Sequence, residues 1–249
     1  MSGGAPGNRL GGWGIVTDML MMKSIAVVLL TAVAWLGSAV PAGAGVIRGV
    51  VTYTGPVEAK MLPVTIDQYV CGKEKPSEDL VVGAQRGIKN AVVWLQTPPP
   101  EAEWPSAPVK VEMDQKQCVF NPRVVLVPAG GTVEFLNSDR LLHNLHSASR
   151  ENPTFNRTQP RNRTIPIAFS KPEIIRVNCD LHSWMRAWVV VADHPFYALT
   201  NDAGEFQLPS VPPGKYTLRI WQETLGITSR DVTVPAGDAR VTVELKGSR

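Results

Sequence analysis

The residues best suited to chemistry in this chain lie close together. All four histidines, His143, His146, His182 and His194, fall in one stretch that also holds Cys179 and Met185. The segment Cys179-Asp-Leu-His-Ser-Trp-Met185 spaces a thiol, an imidazole and a thioether three residues apart, between an apolar run ending at Val177 and another beginning at Ala187. A thiolate and imidazoles in a trigonal set with a weak axial Met is the ligand combination that selects copper and makes an electron-transfer site. Such a set needs a second imidazole. Asn137-Ser-Asp-Arg-Leu-Leu-His143-Asn144 supplies it, because it follows the strand-like run Thr132-Val-Glu-Phe-Leu136 and reaches the same end of a sandwich as the loop after Val177. The expected ligands of one mononuclear copper are therefore His143, Cys179, His182 and Met185. His146 is an alternative to His143, or a residue of the rim. Taken singly, Cys179 reads as a buried core thiol and Met185 as core packing; their joint spacing carries the metal reading. His194 reads as structural, and Trp184, beside His182, as packing that shields the metal.

Short, β-branched runs bordered by Gly, Pro or Asn must position these residues. They are Val46 to Tyr53, Ala91 to Leu95, Val124 to Val127, Thr132 to Leu136, Ile174 to Val177 and Ala187 to Ala192, each of strand length. Thr97-Pro-Pro-Pro-Glu-Ala-Glu-Trp-Pro105 is a loop, since consecutive prolines cannot join a ladder. The polar, Arg-rich stretch from Asp139 to Phe169 reads as a long connection over one end of the sheets. After His194 the turn signals Asn201-Asp-Ala-Gly204 and Pro212-Pro-Gly214 separate alternating strands, and two more strands are expected near Ser229 to Val234 and Arg240 to Leu245. The fold class expected is all-β: a Greek-key sandwich over residues 45–193 with an N-terminal excursion, then a small sandwich over 194–249.

On these residues the chain resembles the cupredoxins, and in its ligand loop the amicyanins most closely. Cys179-x2-His182-x2-Met185-Arg186 is similar to the short amicyanin loop, and Leu142-His-Asn-Leu-His146 to the segment that bears the upstream ligand. The resemblance implies His143 as upstream equatorial ligand, Cys179 as thiolate, His182 as a partly exposed ligand and Met185 as axial ligand. It also implies that the backbone N–H of Asn144 bonds the thiolate and tunes its potential. Leu181 and Ser183 stand where that loop has prolines. The C-terminal part, through Asn201 to Phe206 and Pro212 to Tyr216, resembles the carboxypeptidase regulatory-like, transthyretin-type modules, which have an Ig-like sandwich. Proteins with this two-part layout are often called methylamine utilisation proteins.

The rest of the chain sets the context. Lys23, the apolar run Ile25 to Leu36 and the small residues ending Ala42-Gly-Ala44 have the layout of a signal peptide, cleaved after Ala44 for export to the periplasm. The true start is then Met21 or Met22. An uncleaved anchor is the other reading, and only then is membrane contact expected, because no charge occurs between Lys23 and Arg48. Three cysteines leave one over in an exported protein. A Cys71–Cys118 disulfide suits an oxidising compartment and leaves Cys179 free; spacing alone leaves the other pairings open, and they would destroy the site. The 249 residues carry a formal charge of only +3 and no nucleic-acid motif. No Ser-His-Asp set or phosphate loop is present, and four protein ligands leave no open metal position for a small-molecule substrate. The expectation is therefore a non-enzymatic one-electron carrier with a protein redox partner. A copper-binding or delivery protein without redox turnover, and a structural envelope protein on the same scaffold, are the alternatives. Between Arg140 and Arg186 eight basic residues face three acidic ones, an excess that suits an acidic partner.

Overall fold

The computed structural model describes residues 44–100, 102 and 109–247. The signal-peptide segment and part of the proline-rich loop lie outside the described residues. In chain order the elements are β1 (Gly45–Tyr53), β2 (Met61–Pro63), α1 (Gln68–Cys71), β3 (Glu74–Pro76), β4 (Val92–Leu95), β5 (Lys110–Lys116) and β6 (Val119–Asn121). There follow β7 (Val124–Pro128), β8 (Thr132–Asn137), β9 (His143–Ala148), β10 (Asn156–Gln159), β11 (Ile165–Ala168), β12 (Glu173–Asn178) and β13 (Arg186–Ala192). The last are β14 (Tyr197–Leu199), β15 (Glu205–Val211), β16 (Gly214–Gln222), β17 (Gly226–Val234) and β18 (Ala239–Leu245). The fold is all-β, with one four-residue helix among the described residues.

Two sandwiches result. In the first, the sheet β10-β9-β12-β13-β7 faces the sheet β11-β8-β5-β6. Their inward residues, among them Met113, Phe120, Phe135, Leu145, Ile175 and Val189, share one core. Strand alternation decides which side chains enter it: on β13, Ala187, Val189 and Val191 join that core, while Val190 faces the other way. In the second sandwich, the sheet β15-β1-β18 faces β14-β4-β16-β17 around Ile47, Val93, Leu95, Leu208, Leu218 and Ile220. The outer faces of the two sandwiches meet through Val92, Val124, Val190 and Trp221, with Trp188 edge-on to Trp221 at 4.9 Å between centroids. Arg123 sits buried at this joint, bonded to Glu223 at 2.8 Å and to Asp79 at 2.7 Å.

Two expectations need correction. The second sandwich is not confined to residues 194–249: β1 lies between β15 and β18, and β4 between β14 and β16. Residues 197–245 alone would leave both sheets with a missing central strand and unpaired backbone groups, so the chain supplies those strands from its N-terminal part. The turn Asn201 to Gly204 joins the same unit, since the Val51 N–H donates to the Gly204 carbonyl at 2.8 Å. Gly204 has φ +76, and a Cβ there would stand 2.3 Å from the Val51 oxygen. The stretch from Asp139 to Phe169, read as a connection, contains β9, β10 and β11. Its polar residues hide the strand pattern because several of them point inward.

Candidate metal centre

The loop that follows β8 brings His143 to one end of the first sandwich. Asn137, buried at the end of β8, donates its amide to the carbonyls of Leu141 and Gln159 at 3.0 and 2.9 Å. Its Oδ1 accepts the N–H of Asp139 at 3.1 Å. On the other side, the loop between β12 and β13 closes tightly: the Met185 N–H donates to the His182 carbonyl at 2.8 Å, and the Cys179 N–H to the Met185 carbonyl at 3.2 Å.

These two loops set His143, Cys179 and His182 against one another. His143 Nδ1 lies 2.9 Å from His182 Nδ1, and Cys179 Sγ lies 3.8 and 3.5 Å from those two nitrogens. Both imidazoles are 0% exposed and Cys179 is 1% exposed. The backbone N–H of Asn144 points at Cys179 Sγ, 3.4 Å away. The Asn144 side chain bonds Asn156 and Asp180, and its Oδ1 accepts the N–H of Asp180 at 2.5 Å. Met185 is buried in the same core.

His146 is not brought into this cluster. Three residues along a strand reverses the facing of a side chain, so His146 projects outward, 47% exposed, and pairs with Asp180 at 2.9 Å. His194 is also elsewhere, bonded through Nε2 to the Leu95 carbonyl at 3.0 Å. Cys71 and Cys118 form a disulfide across 47 residues, and Cys179 is the free cysteine. Cys118 lies near Asp139 and His143, but its sulfur is committed to that disulfide and offers no thiolate.

The partly exposed edge expected for His182 is a further correction: that imidazole is sealed. Its Nε2 meets the Asp67 carboxylate at 3.0 Å. On its flank stands Trp184, with ring centroids 5.2 Å apart and an indole N–H donated to the Cys118 carbonyl at 3.0 Å. His143 has a matching partner, since its Nε2 lies 2.9 Å from Asp139. That carboxylate also accepts the N–H groups of Gln117 and Cys118 at 2.7 and 2.8 Å. Sequence reasoning assigned a role to neither aspartate. Asp139 had a signal, four residues before His143. Asp67 had none, because it is 115 residues from His182 and reaches it only through the folded strap.

The electrostatics ask for a cation. Carboxylates accept hydrogen bonds and do not donate them when ionised, so both rings give their Nε2–H to an aspartate and turn Nδ1 toward each other and toward sulfur. Burial by itself lowers the pKa of His143, yet Asp139 and Cys179 outweigh it and raise it to about 9. Burial lowers His182, against the pull of Asp67. Asp139 would be raised by burial, but the bonds from His143, Cys118 and Gln117 hold it below the ordinary carboxylate range. Two imidazole nitrogens and one sulfur converging in a dry pocket fit a soft or borderline metal ion, and carboxylates behind the imidazoles are the usual means of orienting such ligands.

Comparison with known proteins is partial. Residues 161–242 match the family model for domain II of polysaccharide lyase family 4, a stretch that runs from just before β11 into β18. No curated protein matches the chain. Among solved structures it is similar to the Cu-containing nitrite reductase of Thermus scotoductus SA-01, at 23% identity over 39% of this chain and 25% of that one, with a TM-score of 0.33. A purple cupredoxin from Nitrosopumilus maritimus is similar at 19% identity over 33% and 99%, with a TM-score of 0.30. An amicyanin mutant in its Cu(I) state is similar at 18% identity over 40% and 98%, with a TM-score of 0.32. This chain therefore spans a quarter of the nitrite reductase's length. The metal reading rests on the side chains described above.

Proposed function

We propose that this chain is an exported type 1 copper protein, non-enzymatic, that carries one electron for a protein partner. The observation that carries this reading is the buried convergence of His143 Nδ1, His182 Nδ1 and Cys179 Sγ, with Met185 buried in the same loop. Copper bound there would supply one-electron redox chemistry; the protein supplies fixed ligands, a dry pocket and the Asn144 N–H on sulfur. The test is the visible spectrum of the mature protein with one equivalent of Cu(II), followed by reductant. An intense thiolate-to-copper band that bleaches and returns supports the carrier. Absence of the band overturns it.

One observation favours a second reading, copper binding or delivery without turnover: the His182 edge, the natural exit for an electron, is covered by Asp67. A blue protein that exchanges electrons only sluggishly with small reductants would support that alternative. For the carrier, an acidic partner is suggested by Arg157, Arg161 and Arg163, all exposed, since β10 pairs with the strand that begins at His143. Electron transfer to such a partner should slow as salt rises, because charges are screened beyond about 8 Å at physiological ionic strength. Replacing the three arginines by Gln should flatten that dependence and leave the spectrum unchanged.

A further inference from the structure

Asp67 belongs to a strap that crosses the end of the first sandwich. The strap is the connection within the β2–β3 hairpin and contains α1. It is held by Val64 and Cys71 buried in the first core, with Leu62 and Val70 packed against it, by the Cys71–Cys118 disulfide and by the bond from Asp67 to His182. Its outer surface keeps Ile66 and Tyr69 in solvent, Tyr69 at 82% exposure. The strap thus seats one side on the first core and delivers one carboxylate to an imidazole that is otherwise enclosed.

From this geometry we infer that Asp67 is a positioning residue of the metal centre: it accepts the Nε2–H of His182, commits Nδ1 of that ring to the metal, and closes the ring edge to water. The inference deepens the copper reading and rests on it for the identity of the ion, though not for the hold on His182. Three features support it. Without a partner at Nε2, a neutral imidazole is free to place its proton on either nitrogen, and a proton on Nδ1 removes the ligand atom. A carboxylate partner also raises the basicity of the coordinating nitrogen. The disulfide, finally, fixes the strap at Cys71, one helical turn from Asp67, so the carboxylate does not depend on a flexible loop to arrive.

Another role for Asp67 must be separated from this one. Its backbone is left-handed, with φ 56, a conformation that Asp, Asn and Gly tolerate better than other residues. Asp67→Gly and Asp67→Asn both keep that backbone. If the residue serves only the turn, neither substitution changes His182. If it positions the ring, Gly loses the effect, and Asn, whose amide oxygen still accepts a hydrogen bond, retains most of it.

The experiment uses the full mature chain and two readouts. In the metal-free protein, long-range nitrogen–proton NMR reports the His182 tautomer. In the copper form, competition with a chelator gives Cu(II) affinity and the rate of metal loss. Wild type should hold a single Nε2–H tautomer. Asp67→Gly should mix the tautomers and weaken Cu(II) binding about 10- to 100-fold, the range for loss of a carboxylate behind a ligating histidine. Asp67→Asn should restore the tautomer and most of the affinity. Tyr69→Ala, on the exposed face of the strap, should change neither readout. An Asp67→Gly protein with wild-type tautomer and wild-type affinity overturns the assignment. A chain that binds no Cu(II) but shows the Asp67-dependent tautomer removes the copper reading and upholds the hold on His182.

Discussion

The two sandwiches contain similar amounts of β-structure but treat buried polar groups differently. In the second, the buried His194, Thr200 and Gln222 each find a nearby carbonyl: Leu95 for His194, Ile88 for Thr200 and Asp79 for Gln222. Each of these three has its partner within the fold. In the first, Asn137, Gln159 and Asn152 are satisfied in the same way, but the Nδ1 atoms of His143 and His182 and the sulfur of Cys179 converge on one another, with the Asn144 N–H also on the sulfur. Ligand atoms that converge in a dry pocket are the kind of buried polar groups that pair or coordinate a metal, and one bound cation would engage all three. A site of this kind is distinguished by ligand atoms that converge on one point, not by the mere presence of polar residues in a core.

Breaking each region should therefore have opposite consequences. Cys179→Ser in the first sandwich should abolish the charge-transfer band entirely, because the colour requires a thiolate on Cu(II), while the melting temperature of the metal-free protein stays nearly unchanged. Ile220→Ala, at a fully buried position of the second core, should cost about 2–5 kcal/mol and leave the band intact while the protein remains folded. Absorption spectra and denaturant titrations of both variants check this. A blue Cys179→Ser protein would remove that residue from the site. His143→Ala should weaken copper far more than His146→Ala, since only the former faces the cluster; equal losses would contradict the facing of β9.

The disulfide belongs to the first sandwich alone and sharpens the contrast. Closing a loop across 47 residues stabilises the folded chain by about 4 kcal/mol in the chain-entropy model. Cys71→Ser with Cys118→Ser should lower stability toward that figure by denaturant titration and should hasten copper loss, because the strap carrying Asp67 then loses its cross-link to the sandwich. A double variant that loses stability but keeps its copper at the wild-type rate would separate the strap from the metal.

Much of this was legible in the sequence where side-chain pattern and backbone agree. The runs around β1, β4, β7, β8, β12 and β13 alternate or are β-branched, and the Cys179 to Met185 loop shows its ligand types at fixed spacing. Where buried residues are polar, the pattern fails: β9 begins with His143 and Asn144, both buried although on opposite faces, and β10 ends with buried Gln159, so neither reads as a strand. The order of strands within a sheet was illegible for another reason. Nothing local in Val46 to Tyr53 says that its neighbours are β15 and β18, more than 150 residues on. Asp67 shares that limit, because a disulfide and a strap decide its place and not its surroundings in the chain.

The smallest effect is expected at the other end of β12 from Cys179, where Glu173 shows what a fully satisfied charge does. Its carboxylate accepts the N–H groups of Arg150, Glu151 and Asn152, at 2.6, 3.2 and 3.1 Å. It also accepts the Ser149 hydroxyl at 2.7 Å and the Asn152 side-chain amide at 3.0 Å. Burial on its own raises the pKa of Glu173, but these donors outweigh it and bring it from 4.5 down to about 2. A carboxylate depressed in the folded state contributes stability that is complete above its unfolded pKa and is lost as the pH falls through the folded one. The window here is from about 4.5 to about 2. Because the group is partly exposed, solvent screening reduces its contribution to about 1–2 kcal/mol. Glu173→Gln removes the charge and turns an amide N–H2 toward donors that need an acceptor. Denaturant titrations at a series of pH values should show the variant less stable by that amount at neutral pH, with the gap narrowing as the pH falls through the window. Since Glu173 sits at the end of the sandwich away from His143, the copper spectrum should not change at all. A constant gap across the window would mean that packing, and not the charge, holds the turn from Ser149 to Asn152.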